Sequence, residues 1–160
     1  MGAILGIETS TGQERPTWFS RTDSKQLLRH LTELKWKTTS DEVVRLQDHL
    51  GADLEPLSKI AGEEEPLESF MARDPTRERE GVWQRLHEEY EAAWQDPVLL
   101  VATIESFLVA LYAHPNAYAT LGIDDEYFKD GFFEQDMTDL LAMMQWARDQ
   151  GIPKVRLYAG

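Results

Sequence analysis

Four histidines, His30, His49, His87 and His114, are the first side chains to weigh for metal or acid–base chemistry. Ligands on a helix share a face when they lie three or four residues apart. In His87-Glu88-Glu89-Tyr90-Glu91, His87 and Glu91 have that spacing, and Glu88 adjoins them. His87 with Glu88 or Glu91 is therefore a candidate metal centre, or the start of a metal-dependent active site. The surrounding stripe of Trp83, Leu86, Tyr90 and Trp94 speaks for the opposite outcome, a histidine packed into a core. The Glu-x-x-His motif of di-iron bundles occurs nowhere in the chain. Glu105 is a second candidate. It lies in the otherwise apolar run Val98 to Ala113, where an ionised carboxylate is costly unless it is paired. In a pocket its pKa would rise and it could serve as a general acid; at a helix edge, or beside an arginine, it would be structural.

The segment Asp124-Asp125-Glu126-Tyr127-Phe128-Lys129-Asp130-Gly131 gathers carboxylates before a glycine, as a calcium loop does. The register fails. With Gly131 in the glycine position, loop positions one, three and twelve fall on Glu126, Phe128 and Met137. The segment reads instead as an acidic loop with aromatic neighbours, Tyr127, Phe128, Phe132 and Phe133. Aromatic anchors within a charged rim are the usual anatomy of a protein interface; the competing reading is that these rings fill the core ahead of the last helix.

Nucleophilic catalysis has no support. The chain has no cysteine and no Gly-x-Ser-x-Gly elbow, and Gly2, Gly6 and Gly12 are spaced wrongly for a dinucleotide site. Lack of cysteine also removes disulfide scaffolds, zinc ribbons and thiolate-held clusters. No cofactor is expected.

The charge balance bounds the partners. Against 29 acidic residues stand 16 lysines and arginines, a net charge of −13. Such a surface repels phosphate backbones and anionic membranes, and it draws in basic proteins. Direct nucleic-acid or membrane binding is therefore not expected, whereas a basic protein partner is. The same charge also serves solubility alone. The opening Met1-Gly2-Ala3-Ile4-Leu5-Gly6 carries no basic residue, so it does not read as a secretory signal, and the Val98–Ala113 run is too short to span a bilayer. A cytoplasmic location follows as an expectation.

The elements that must position these residues are mostly helical. At 160 residues, with 42% apolar and 28% charged residues, one globular domain spanning 1–160 is expected. Residues 3–9 read as a first strand, 10–16 as a polar turn and Thr17-Trp18-Phe19-Ser20 as a short second strand of a hairpin. Thr22 or Asp23 can cap a helix carrying Leu27, Leu28, Leu31 and Leu34. Ser40 opens another with Val43, Val44, Leu46 and Leu50, and Gly51 stops it. A short helical piece is expected from Leu54 to Ala61, then a surface excursion over residues 62–81. Three helices follow: Pro75–Gln95, a buried central helix Val98–Ala113 that is apolar on nearly every face, and Glu134–Asp149 ending at Gly151. Lys154-Val155-Arg156-Leu157-Tyr158 alternates and reads as a closing strand. The expected fold is α+β, mainly helical, with a small sheet formed by the N-terminal and C-terminal strands and helices on one of its faces.

This plan resembles that of small acidic immunity proteins of bacterial toxin systems. The resemblance rests on two places and covers about a third of the chain. One is Met1-Gly2 through Leu5-Gly6-Ile7, then the polar turn and the pair Trp18-Phe19. The other is the Leu140-Leu141-Ala142 helix running through Ala147, then Gly151-Ile152-Pro153 and a terminal strand. It implies a protein without catalytic residues that binds and neutralises a cognate toxin, often a nuclease. The expected contact surface is Asp124, Asp125, Glu126, Tyr127 and Asp130, together with the Glu63-Glu64-Glu65 bend. Two alternatives remain: the metal protein or enzyme built on His87, and a DNA mimic that blocks a nucleic-acid-binding protein. Arg77, Arg79, Lys129 and Arg148 interrupt the carboxylates and count against the mimic.

Overall fold

A computed structural model describes residues 5–14, 24–62 and 77–160 of the chain. The terminal segments do form strands: β1 (Leu5–Thr9) and, at the end, β3 (Val155–Ala159), joined by a third, β2 (Ile60–Gly62). The sheet order is β1–β3–β2. The C-terminal strand is thus central, antiparallel to β1 and parallel to β2. Strand β2 replaces the last part of the helical piece expected over 54–61, where a single 3-10 turn, Glu55–Ser58, is all the helix that forms. Pro56 in that turn donates no backbone hydrogen bond, and Ile60 then pairs with Leu157. The strand expected at 17–20 lies outside the described residues.

The helices are α1 (Ser24–Trp36), α2 (Glu42–Leu50), α3 (Arg77–Ala92), α4 (Pro97–Ala113), α5 (Ala117–Leu121), α6 (Glu126–Lys129) and α7 (Phe132–Asp149). Mainly helical α+β architecture is the result. Gly51 and Gly151 stop α2 and α7 as expected, with φ of 65° and 72°, a left-handed turn that other residues adopt at a cost. The main core lies between one face of the sheet and α1, α2, α4 and α7. Leu5, Ile7, Ile60, Val155 and Leu157 point into it from the sheet. Helices α4 and α7 pack along their length, with Leu100, Ile104, Phe107 and Leu111 against Phe133, Met137, Leu140 and Met144. Each such side chain, fully buried, stabilises the fold by roughly 1.5–3 kcal/mol.

The other face of the sheet is covered too, so the expectation of helices on a single face is corrected. Successive strand residues point to opposite faces. Gly6, Glu8, Ala61, Arg156 and Tyr158 therefore face away from the main core, and Tyr90 and Ala93, in and just after α3, pack against them. Gly6 opposes Tyr158 in the register, and a Cβ at Gly6 would lie 2.3 Å from the tyrosine ring, so that contact requires glycine. Arg156 is 2% exposed. Its guanidinium donates to Glu8 Oε2 at 2.7 and 3.2 Å and to the Tyr90 carbonyl at 3.0 Å. It also lies 3.2 Å from the Tyr90 ring centre and 3.9 Å from that of Trp94. The Tyr90 hydroxyl donates to the same Glu8 oxygen at 2.9 Å. These contacts fasten α3 to the sheet.

Removing Glu8 leaves a buried cation short of its counter-charge. Glu8→Ala is expected to destabilise the fold by about 2–3 kcal/mol, read from urea unfolding. Adding Arg156→Met should recover part of that loss, because the orphaned charge is gone; no recovery in the double variant would contradict the pairing.

Candidate functional site

The acidic loop is built by two caps. Asp125 accepts from the Tyr127 backbone N–H at 2.8 Å and opens α6, and Asp130 closes it. Asp124 stands outside and accepts a hydrogen bond from Lys129 Nζ at 2.9 Å. That ammonium holds the Asp124 carboxyl below its ordinary range, and Asp124 raises Lys129 in return. Asp124, Asp125, Glu126 and Asp130 are all exposed. Tyr127 is not: it is 2% exposed, and Phe128 and Phe133 are buried beside it. With the cap fixing the first turn of α6, Tyr127 and Phe128 turn toward α1 and α7. Tyr127 donates to Asp136 at 2.7 Å and its ring stacks on His30 at 5.6 Å. The expectation of Tyr127 as an interface aromatic is therefore corrected; it anchors the loop to the core. Glu63, Glu64 and Glu65 lie outside the described residues.

His30, one of the four histidines weighed above, is buried, a placement that the sequence reading did not assign to it. It is 0% exposed, and its Nδ1–H donates to Asp41 Oδ1 at 2.8 Å, with Glu42 Oε2 at 3.9 Å. Asp41 caps α2, its other oxygen accepting from Val43 and Val44 N–H at 2.9 and 3.4 Å. The signal was available: Leu27, His30, Leu31 and Leu34 share the inward face of α1. Asp136 likewise shares a face with Phe133, Met137 and Leu140. Among the described residues, His30, Asp41 and Glu42 are the group of three ligand-type side chains close enough to share a metal ion. Binding through Nδ1 would cost the bond to Asp41, so the group fits a structural joint between α1 and α2 better than a metal centre.

His87 is half-buried and stacks on Trp83 at 5.0 Å, with Glu88 and Glu91 exposed. The structure does not gather these three into a ligand cluster among the described residues. Glu105 is exposed and accepts a hydrogen bond from Gln145 Nε2 of α7 at 3.3 Å. It faces solvent and not the buried, apolar surroundings that the general-acid reading requires, and that reading is corrected on that ground.

The reason lies in α4 itself. The helix is not buried all round, as its composition suggested. Val98, Leu99, Val109 and Tyr112 are 53%, 49%, 68% and 59% exposed. Ala102 and Ala113 lie among them, and Glu105 and Ser106 are the polar members of the same solvent-facing arc. At the C-terminal end of α4 a cleft of ≈ 210 Å³ opens between Tyr112, Tyr118 and Glu134. Burial, then the Glu134 carboxylate, pushes the Tyr118 phenol well above its ordinary value of 10. Comparison with protein-family models, curated proteins and solved structures finds no match for this chain.

Two outcomes test this geometry. Asp41→Ala removes both the cap and the partner of a buried histidine and should cost about 2–3 kcal/mol, whereas Asp41→Asn keeps the cap and should cost about 1 kcal/mol less, by chemical denaturation. Tyr118 should also ionise late. Because its folded pKa exceeds the unfolded one, its contribution is complete below pH 10 and is lost as pH rises from there. Tyr118→Phe should flatten the alkaline loss of stability and remove the latest phenolate from the absorbance titration at 295 nm.

Proposed function

We propose that this chain acts by binding a basic protein, as an inhibitor of the immunity type that neutralises a toxin domain, nucleases among them. The observation that carries the reading is how the charge is segregated. Between Arg85 and Lys129 the sequence contains no lysine or arginine, while Glu88, Glu89, Glu91, Asp96, Glu105, Asp124, Asp125 and Glu126 are all exposed. Exposed carboxylates in such excess, with Lys129 on Asp124 at the edge of the run, speed encounter with a cationic cleft. A nuclease presents such a cleft to phosphate, and a carboxylate surface competes for it.

Exposed carboxylates give rate and selectivity more than affinity; apolar contacts supply the rest. Fields of this range are screened beyond about 8 Å at physiological salt. Immobilised protein should therefore retain basic proteins from its source organism in low salt and release them near 1 M salt. Asp124→Asn with Glu126→Gln should slow association severalfold without altering the melting temperature. Capture that is neither basic-selective nor salt-sensitive would remove the proposal.

A further inference from the structure

The acidic field explains attraction but leaves the apolar arc of α4 without a role. Contiguous exposed apolar surface rimmed by charge marks interaction sites. Helix α4 has 17 residues, so the arc extends for about 25 Å, the length of a partner helix of similar size. Glu105 lies at its midpoint. The cleft of Tyr112, Tyr118 and Glu134 lies at its end, seven residues or about two turns further along. The arc thus presents two carboxylates, each set among apolar or aromatic groups.

We propose that the solvent-facing arc of α4, with the cleft at its end, docks a cationic amphipathic helix of the partner protein. This rests on the protein-binding reading above and names its surface and its chemistry. The occupant carries an apolar stripe that covers Val98, Ala102 and Val109, a lysine or arginine that meets Glu105, and a second about two turns away that enters the cleft. There Glu134 supplies the counter-charge, and Tyr112 and Tyr118 supply ring faces and edges that suit a cation. Helix-in-groove recognition reads anchors at this spacing.

Charge selects this occupant over a second copy of the chain and over a lipid surface. In a two-fold antiparallel pair of α4 helices, residue 105 meets its own mate, because it is the midpoint of Pro97–Ala113. Two carboxylates would then be enclosed together, with no lysine or arginine anywhere in the helix to offset them. Two copies also bring together net charges of −13 each. A lipid surface would have to take Glu105 into its apolar layer. A partner that carries positive charge satisfies the carboxylates and covers the valines at once, which neither a second copy nor a lipid surface does.

The test uses the full chain and a labelled 18-residue helical peptide, with leucines on one face and two arginines seven residues apart beside them. Fluorescence anisotropy at low salt should show saturable binding. Val98→Asn with Val109→Asn should weaken it by about tenfold, and Glu105→Gln by about threefold with a flatter salt dependence. Trp36→Ser, an exposed aromatic elsewhere that is 70% accessible, should leave it unchanged. A peptide with glutamates for arginines should not bind. The altered positions are exposed, and circular dichroism checks that the variants keep their helices. Equal binding by the double variant, or no binding by the unaltered chain, overturns the proposal. So does a dimer in sedimentation that the double variant abolishes, or flotation with phosphatidylcholine vesicles that it abolishes. The salt-dependent capture described above uses the unaltered chain, so its failure sinks the protein-binding reading. Retained capture by the double variant sinks only the assignment to α4.

Discussion

Strand β3 has a neighbour on each side, and its pleat decides what each half of the molecule can be. Val155 and Leu157 enter the helical core, while Arg156 and Tyr158, one residue away, meet α3. A slip of one residue in its pairing would exchange the two sets. The guanidinium would then face the apolar core on the helical side of the sheet. The ion pair of Arg156 with Glu8 is therefore as much a statement of register as of stability, since it forms only when Glu8 opposes Arg156. Tyr158 over Gly6 makes the same demand sterically. Two independent constraints thus fix one alignment, and the alignment carries both chain ends.

A second polar joint holds the helical half. His30, Asp41, Tyr127 and Asp136 are buried in two hydrogen-bonded pairs, and the stacking of His30 on Tyr127 connects them. They come from α1, the start of α2, α6 and α7. Each pair ties two elements together, α1 to the start of α2 and α6 to α7. The network therefore sets where the acidic loop sits: Tyr127 is its inward end, and Asp124, Glu126 and Asp130 are its outward rim. The loop is presented by a rigid anchor, which suits a binding surface better than a free strand of chain would.

Much of this plan is legible in the residues alone. The alternation at 154–158, the leucine spacing of α1 and the glycine stops at 51 and 151 all lead to the elements observed. Strand β2 was not legible, because three residues carry no periodicity and its pairing partner lies far along the chain. Tyr127 was misplaced because burial of an aromatic next to a cap depends on what packs there. Helix α4 failed for a more instructive reason. A helix apolar on every side has almost no amphipathic direction, so its sequence cannot say which side meets protein and which meets water. Glu105, with Ser106 beside it, was the directional clue. Read as a carboxylate that must face solvent, it would have oriented the helix correctly; read as a buried acid, it pointed to catalysis.

That ambiguity is itself informative about selection of residues on the exposed side. Water-facing positions of an ordinary surface helix are polar, since polar residues cost nothing there and limit aggregation. Helix α4 keeps valine at 98 and 109, leucine at 99 and tyrosine at 112 where polar residues would serve. Helix α4 itself carries no lysine or arginine, the side chains that most readily cover exposed apolar surface with their stems. The valines therefore stay uncovered, while the long-range field stays negative and keeps identical copies apart. An apolar face that repels its own kind and attracts the opposite charge is suited to a heterologous contact, with the field governing approach and the valines governing retention.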